Sequence, residues 1–573
     1  MVRSYVLQGM LALAAVTCAA PTHNDSEVDY VLVGGGPAGF VLAEYLTRKK
    51  GVNVALLEAG PDSSTNPIVT TPAKFFFTQE YMWLYLSQPD ANLGGQTPNL
   101  AQGKCLGGGT GVNAMLYCRG AASVFDEWAE ISGNKGLRWE SMRKSFEATT
   151  HWTDEASIVY DQPINTTAFG DGPLEISRQR ELLTFDKPFA NKLAAEFSLP
   201  EVDFVSGDGI GVSQGISSIW TSNRTRSYAY NTFGYLASTR PNFSLHHSAW
   251  VTKIGFTGTK AERVIYNDTT TNTLHTIRAK EIIIAAGAIN SPQLLMLSGI
   301  GPAHRLRELN IPLITDLPSV GQNLYDHHYA VLQYEAIPGA DTVWQWHDNA
   351  TRAALEEARY AKDGSGMLGT NDGDVFGALR LPDFVFEGKG TFHQNLPKDR
   401  PHMIYEYATT PFLSNSPNVS ILAAFAAVVQ PESKGYLTLA SADYRDAPLI
   451  YSNYWASEAD KAAIIYGYKE LRKLMASEEL APYTVRELFP GPQATSDEDI
   501  WAAIQESSQS WHHPVGTTAL GAVLDANWRV KGVKGLRVVG TSAAPRITTC
   551  ATQAMAYAIG HRAALDITKA DRF

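Results

Sequence analysis

Residues 29–60 read DYVLVGGGPAGFVLAEYLTRKKGVNVALLEAG, and their order decides the fold. Tyr30 to Val33 is an apolar run of strand length, after which Gly34, Gly36 and Gly39 fall at G-x-G-x-x-G. From Phe40 to Lys50 the apolar positions Val41, Leu42, Tyr45 and Leu46 recur at helical spacing. Val54 to Leu57 is a second buried strand, closed by Glu58. Each part has a physical task. Gly34 permits the tight turn, Gly36 lets backbone approach a pyrophosphate, and Gly39 lets helix and strand pack closely. The helix opened by Pro37 and Ala38 turns free N–H groups and a positive dipole end toward the phosphates. Glu58 is placed to accept hydrogen bonds from the adenosine ribose. A lone glycine motif carries little weight, but strand, helix, second strand and acid arrive here in order. The reading is a dinucleotide-binding unit. Its acidic end argues against NADP and leaves FAD and NAD open.

The chain of 573 residues is too long for one hydrophobic core, which points to two domains or one large interleaved unit. A formal net charge of -11 argues against nucleic acid or an anionic membrane surface as partner. The N-terminus, MVRSYVLQGMLALAAVTCAAPTHND, has the form of a signal peptide over residues 1–20: Arg3, an apolar stretch from Val6 to Val16, and small residues before Pro21. A secreted or secretory-pathway product is expected, and no later run reaches the length of a membrane span. N-x-S/T acceptors at Asn24, Asn165, Asn223, Asn242, Asn267, Asn349 and Asn418 agree with a glycoprotein. Cys18 would leave with the leader. Cys105, Cys118 and Cys550 are too few for a disulfide framework and wrongly spaced for a metal site. One bridge is possible, with Cys105–Cys118 as the candidate, and whether it forms stays open.

Five further stretches carry chemistry. GKCLGGGTGVNAMLYCRG (103–120) brings Gly107, Gly108, Gly109 and Gly111 into a loop almost bare of side chains, on which a flat ring or phosphate can lie. AAGAINSPQLLMLSGIGP (285–302) follows an apolar strand, and LPSVGQNLYDHH (317–328) is polar. SWHHPVGTTALG (510–521) precedes a small-residue tail, PRITTCATQAMAYAIGHRAALDI (545–567).

Together with the nucleotide motif, and with GYLTLASADYRDAPLIYSNYW (435–455), these resemble the signatures of the glucose–methanol–choline (GMC) oxidoreductases, from about Asp29 to Ile567. The resemblance implies an α/β protein in two parts. A Rossmann-like FAD-binding domain is assembled from discontinuous segments, and an α+β substrate domain is built on an antiparallel sheet. Expected boundaries are 25–330 mainly FAD-binding, 331–500 mainly substrate-binding, and 501–573 returning to the cofactor with the catalytic loop. Cofactor contacts carried over with the resemblance are Gly34, Gly36, Pro37, Ala38, Gly39, Glu58, Gly107, Gly108, Asn113, Val251, Thr541 and Gln553. Some relatives attach FAD covalently through a histidine in the first signature. Val112 stands there in this chain, so non-covalent FAD is expected.

Alcohol oxidation by a flavin needs a base for the hydroxyl proton while hydride leaves the carbinol carbon. His513, directly before Pro-Val-Gly-Thr, matches that base. Neighbours in an extended segment point to opposite sides, so His512 is expected to face away as a packed or capping residue. The resemblance places a second catalytic histidine or asparagine six residues after Pro545, and that place is Ala551. An acidic residue frequent at the head of this segment is likewise replaced, by Gly540. Thr552, Gln553 or Cys550, or a residue of the substrate domain, is open as the replacement; so is a substrate activated by itself. A lyase or isomerase with a structural flavin is the alternative class. His327 and His328 read as structural. Trp344, Trp346 and His347 either line an aromatic pocket or pack in a loop, and Glu356 with Glu357 reads as a solvated helix face. The expected activity is hydride transfer from a primary or hemiacetal alcohol, with an aryl or secondary-metabolite alcohol as candidate substrate. Oxygen, a quinone or another acceptor would reoxidise the flavin.

Overall fold

A computed structural model describes residues 22–570 apart from 155–161, 163, 373–374 and 414–415. The leader expected over residues 1–20 lies outside the described residues. Strand β1 (Thr22–Val33) runs parallel to β2 (Val54–Leu57), Tyr30 opposite Val54 and Val33 opposite Leu57, and helix α1 (Pro37–Thr47) joins them. On the other side of β1 lies β3 (Thr273–Ile284), again parallel, with Val33 opposite Ile284. Phe243–His246 extends the sheet beyond β2, and Leu536–Val538 pairs with β3. Ala249–Thr257 and Lys260–Asp268 add an antiparallel margin. Tyr30 to Val33 and Val54 to Leu57 are buried throughout, because both faces of the parallel strands are covered. The sheet therefore gathers strands from near both ends of the chain and from its middle.

Helix α1 is buried on nearly every side, between the sheet and a long C-terminal helix. Helix α2 (Gly287–Leu297) follows β3, and the C-terminal helix is α3 (Thr552–Ala570). Gly560 lets α3 approach α1: a Cβ added there would stand 2.9 Å from Ala38 Cα. Among the described residues no helix is long and apolar enough to cross a membrane.

A second sheet is ordered Thr484–Phe489, His328–Ala336, Ile421–Val428, Met403–Ala408, Phe376–Leu379, Gly211–Ser213, and each neighbouring pair is antiparallel. Its side chains alternate cleanly. Ala330, Leu332 and Tyr334 pack in one cluster with Ala463, Ile464, Tyr468 and Leu471 of the helix Glu458–Met475, while Tyr329 and Val331 join the opposite face. The expected boundary at residue 330 is not clean. The edge strand Gly211–Ser213 and the helix Asp186–Phe197 belong to this layer, and Gln509–Ser510 pairs with the start of His328–Ala336.

Three expectations are corrected by packing. The disulfide joins Cys118 to Cys550, Cα atoms 6.0 Å apart across 432 residues, and not to Cys105. Cys105 is a buried free thiol wedged under the glycine loop, its Sγ 2.8 Å from where a Cβ on Gly111 would sit. Burial pushes that thiol up to about 12, so it is inert. Glu356 is fully buried, accepting the Met367 N–H at 2.8 Å and pairing with Arg352 and Arg359, while Glu357 is the exposed partner of Lys74. Two glycosylation acceptors turn inward. Asn242 donates its amide to the carbonyls of Thr47, Lys49 and Val52, and Asn267 is buried against Asn272. Asn165, Asn223 and Asn418 are exposed, Asn349 caps the helix Ala350–Asp363, and Asn24 lies on β1. Replacing Cys118 and Cys550 together by serine is expected to cost about 2–5 kcal/mol, read as a lowered Tm. Peptide mapping of unreduced protein should recover the 118–550 cross-link, with Cys105 as a thiol.

Candidate active site

The two glycine loops meet back to back. Gly34 takes φ 112°, and a Cβ on it would lie 2.5 Å from the Ala285 carbonyl oxygen, so the turn after β1 is wedged against the end of β3. A Cβ on Gly39 would stand 2.0 Å from Gly34 O, and one on Gly108 would stand 2.8 Å from Gly36 Cα. The bare backbone thus formed is one wall of a cavity of about 540 Å³, a size usual for a small-molecule or cofactor site. Of the residues expected to contact the cofactor, Gly34, Gly36, Pro37, Ala38, Glu58, Gly108, Asn113, Val251, Thr541 and Gln553 line it. Gly39 and Gly107 do not: they stand behind the wall, Gly107 facing the Tyr228 ring. Glu58 accepts the Gly35 N–H at 2.7 Å and the Gly60 N–H at 2.8 Å. Burial raises its carboxyl to about 7 despite these donors and the nearby Lys104. Each carboxylate oxygen keeps a lone pair for a ribose hydroxyl. Helix α1 starts at this wall with Gly36 at its N-cap and no side-chain cap to occupy the first amides. Bare backbone, open amides and a terminal carboxylate fit a dinucleotide.

Gln553 is not available for catalysis. Buried Arg226 donates to Asn113 Oδ1 (2.7 Å), Asn113 donates its amide to Gln553 Oε1 (2.8 Å), and Gln553 Nε2 donates to the carbonyls of Met115 and Leu116 (3.2 Å each). Every polar atom of Gln553 is spent on fixing the first turn of α3 to the glycine loop. Cys550 is likewise consumed, by its disulfide.

His513, the expected base, stands at the other end of the cavity. His513 Nδ1 lies 3.0 Å from His327 Nδ1, and His327 Nε2 lies 2.9 Å from Thr548 O and 3.2 Å from Val429 O. Carbonyls only accept, so His327 carries its proton on Nε2, and its burial, which lowers it to about 4, keeps it neutral. Its Nδ1 then accepts, and His513 Nδ1 must donate. The tautomer of His513 follows: Nε2, which has no partner among the described residues, keeps its lone pair, and the residue lines the cavity. Burial and the neighbouring imidazoles of His327 and His512 hold His513 well below its ordinary value. His327, read from sequence as structural, is thus the residue that orients the His513 ring; His328 is structural, stacked 4.3 Å from Tyr454.

His512 does not face away. Its φ is +60°, which breaks the alternation of an extended segment, and His512 also lines the cavity. Ala551 and Thr552 stand in the same wall, Ala551 presenting only a methyl. Around them the antiparallel sheet and nearby loops contribute an aromatic lining that includes Phe75, Phe76, Tyr329, Phe412, Phe425 and Trp511, with edge-on contacts such as Phe412–Phe425 at 4.7 Å. Asp372 adds a carboxylate, bonded to Thr409 and raised to about 6 by burial. Trp344, Trp346 and His347 take no part in it: His347 stacks on Phe77, Trp346 packs beside it, and Trp344 donates to Asn418. The sequence signal that could have found the aromatic wall is the alternation in the strand beginning at His328.

Two measurements check this geometry. Glu58→Gln places an amide against two backbone N–H donors and is expected to weaken FAD binding about tenfold or more, read by titration of apoprotein with FAD. His513→Ala is expected to slow anaerobic flavin reduction by about 10²–10⁴-fold. Because the imidazole is held below its ordinary value of 6.5, the wild-type rate should stay flat from neutral pH down through 6.5 and fall only in more acid solution, as Nε2 becomes protonated.

Comparison with known proteins agrees with this construction. Residues 28–329 and 431–560 match the N- and C-terminal parts described as GMC oxidoreductase. A glucose-methanol-choline family oxidoreductase of Annulohypoxylon moriforme is 32% identical over 98% of this chain and 96% of its own. An alcohol dehydrogenase [acceptor] of Pseudomonas putida is 30% identical over 94% of this chain and 95% of its own. An FAD-dependent oxidoreductase from Chaetomium thermophilum superposes with a TM-score of 0.85 at 28% identity, over 96% of this chain and all of that one. With such relatives the lyase alternative is not favoured. The cradle is an FAD site, and the chain belongs to the GMC oxidoreductases, as an FAD-dependent enzyme acting on CH–OH groups.

Proposed function

We propose that the protein is a secreted or secretory-pathway oxidoreductase that takes a hydride from a primary or hemiacetal alcohol on an aryl or other bulky, secondary-metabolite-like skeleton. The observation that carries the reading is the free Nε2 of His513, held in its basic tautomer by His327 and set in a cavity walled by aromatic rings at one end and bare glycine backbone at the other. FAD bound in the cradle supplies the acceptor for hydride and its electron pair. His513 receives the hydroxyl proton at Nε2, and His327 keeps the ring in place as charge develops on it. Aromatic side chains exclude water and favour flat, apolar substrate bodies. Residues around the parallel sheet hold the cofactor, and the antiparallel sheet supplies the substrate side. Val112 offers no nucleophile toward the cofactor, which supports non-covalent FAD. Oxygen, a quinone or another acceptor completes the cycle. The leader pattern, the Cys118–Cys550 disulfide and the exposed acceptors Asn165, Asn223 and Asn418 support an oxidising, glycosylating route.

The test is anaerobic mixing of holoenzyme with a panel of aryl, allylic, sugar and hemiacetal alcohols while the visible flavin band is followed. Bleaching strongest with aryl alcohols is expected. A band that holds against the whole panel but yields to dithionite would overturn the reading.

A further inference from the structure

Two imidazoles stand side by side in the catalytic loop, and only one has a task so far. His512 occupies the left-handed region, a conformation that costs a non-glycine residue about 1–2 kcal/mol. The bonds that hold it there do not involve its ring. The His512 N–H donates to Ser510 Oγ at 2.7 Å, Ser510 donates to Asp326, and Asp326 accepts the His513 N–H at 3.0 Å. On the far side the Gln102 amide reaches the His512 carbonyl at 3.5 Å. With this backbone kink, residues 512 and 513 both line one cavity.

The two rings differ in freedom. His513 is committed through Nδ1 to His327. The His512 ring has no partner among the described residues, and the residue lines the cavity while remaining exposed. Desolvation by the surrounding protein lowers it, so at neutral pH it is a neutral imidazole with one N–H to give. The ionisable groups that face it are His513 and, behind that ring, His327, both neutral for the same reason. Across the cavity Ala551 gives no hydrogen bond, Gln553 is spent and Cys550 is bridged. Thr552 is the other group in that wall with an unbonded donor.

We propose that His512 is a second catalytic residue: its ring N–H donates a hydrogen bond to the substrate oxygen while His513 Nε2 takes the hydroxyl proton. His512 gains and loses no proton and forms no covalent bond. The O–H proton goes to His513, the C–H electron pair leaves with the hydride as described above, and the N–H of His512 meets the negative charge that builds on oxygen between those events. This role replaces the side chain that Ala551 lacks, and it rests on the alcohol-oxidation reading.

The experiment compares wild-type holoenzyme with His512→Phe, His512→Gln and Thr552→Val, using the best alcohol of the panel under anaerobic conditions. His512→Phe keeps the bulk and removes the N–H; it should slow flavin reduction at saturating alcohol about 10²-fold. His512→Gln restores a donor and should recover most of the rate, and the loss in Thr552→Val should be smaller than that in His512→Phe. Sulfite, which bleaches bound flavin without any alcohol, gives a readout apart from turnover: its affinity should fall at least tenfold in His512→Phe and be kept in His512→Gln. Wild-type rates and sulfite affinity in His512→Phe would overturn the proposal while leaving the alcohol reading intact. A large loss confined to Thr552→Val would assign the donor to Thr552, and loss of FAD from both His512 variants would make the residue structural; either result overturns it. If the wild type is bleached by no alcohol, the functional reading fails first and this proposal with it.

Discussion

One buried carboxylate holds the catalytic end together. Asp326 takes hydrogen bonds from the Tyr454 hydroxyl, the Ser510 hydroxyl and the His513 backbone N–H, and burial raises it to about 6 despite these donors. Two stretches remote from it in sequence thus converge on its two oxygens. Directly after Asp326 comes His327, which orients the base, and then His328, which packs on Tyr454. Remove the carboxylate and the loop 510–513 loses the anchors for both its kink and its base. A buried acid with several donors is costly to desolvate, so it is only kept stable while every partner stays in place. The orientation of His513 is therefore set from behind, through its backbone N–H and its Nδ1, and leaves Nε2 to the cavity.

The cofactor end is governed by a different constraint, close approach of backbone. Gly34 against Ala285, Gly39 against Gly34 and Gly108 against Gly36 leave no room for a Cβ. The Arg226–Asn113–Gln553 chain then ties the start of α3 to the same loop. Sterics fix the cradle, and a polar chain fixes the helix that faces it.

The cradle was legible because its signal is local: Gly34 to Glu58 carry their reasons within one βαβ unit. His513 was legible from its flanking residues, and Ala551 as a departure. What failed depended on three-dimensional pairing. His512 was assigned to the back of an extended strand because alternation is the default, and nothing in the sequence announces φ +60°. His327 was set aside as structural because its contact with His513 spans 186 positions. The Cys105–Cys118 pairing followed proximity in sequence, while burial and the path of α3 decided the real partner. Asn242 and Asn267 carry the acceptor pattern, but the pattern does not record which way an amide points.

The cross-link between Cys118 and Cys550 has a consequence for how the molecule is made. Cys550 is made 432 residues after Cys118, so the bridge has to wait until both sheets have been synthesised. The cradle, built largely from earlier residues, precedes it in synthesis; the wall that carries Ala551 and Thr552 is sewn down afterwards. Closure of the active site is in this sense a late act of biosynthesis, performed by oxidation of two thiols.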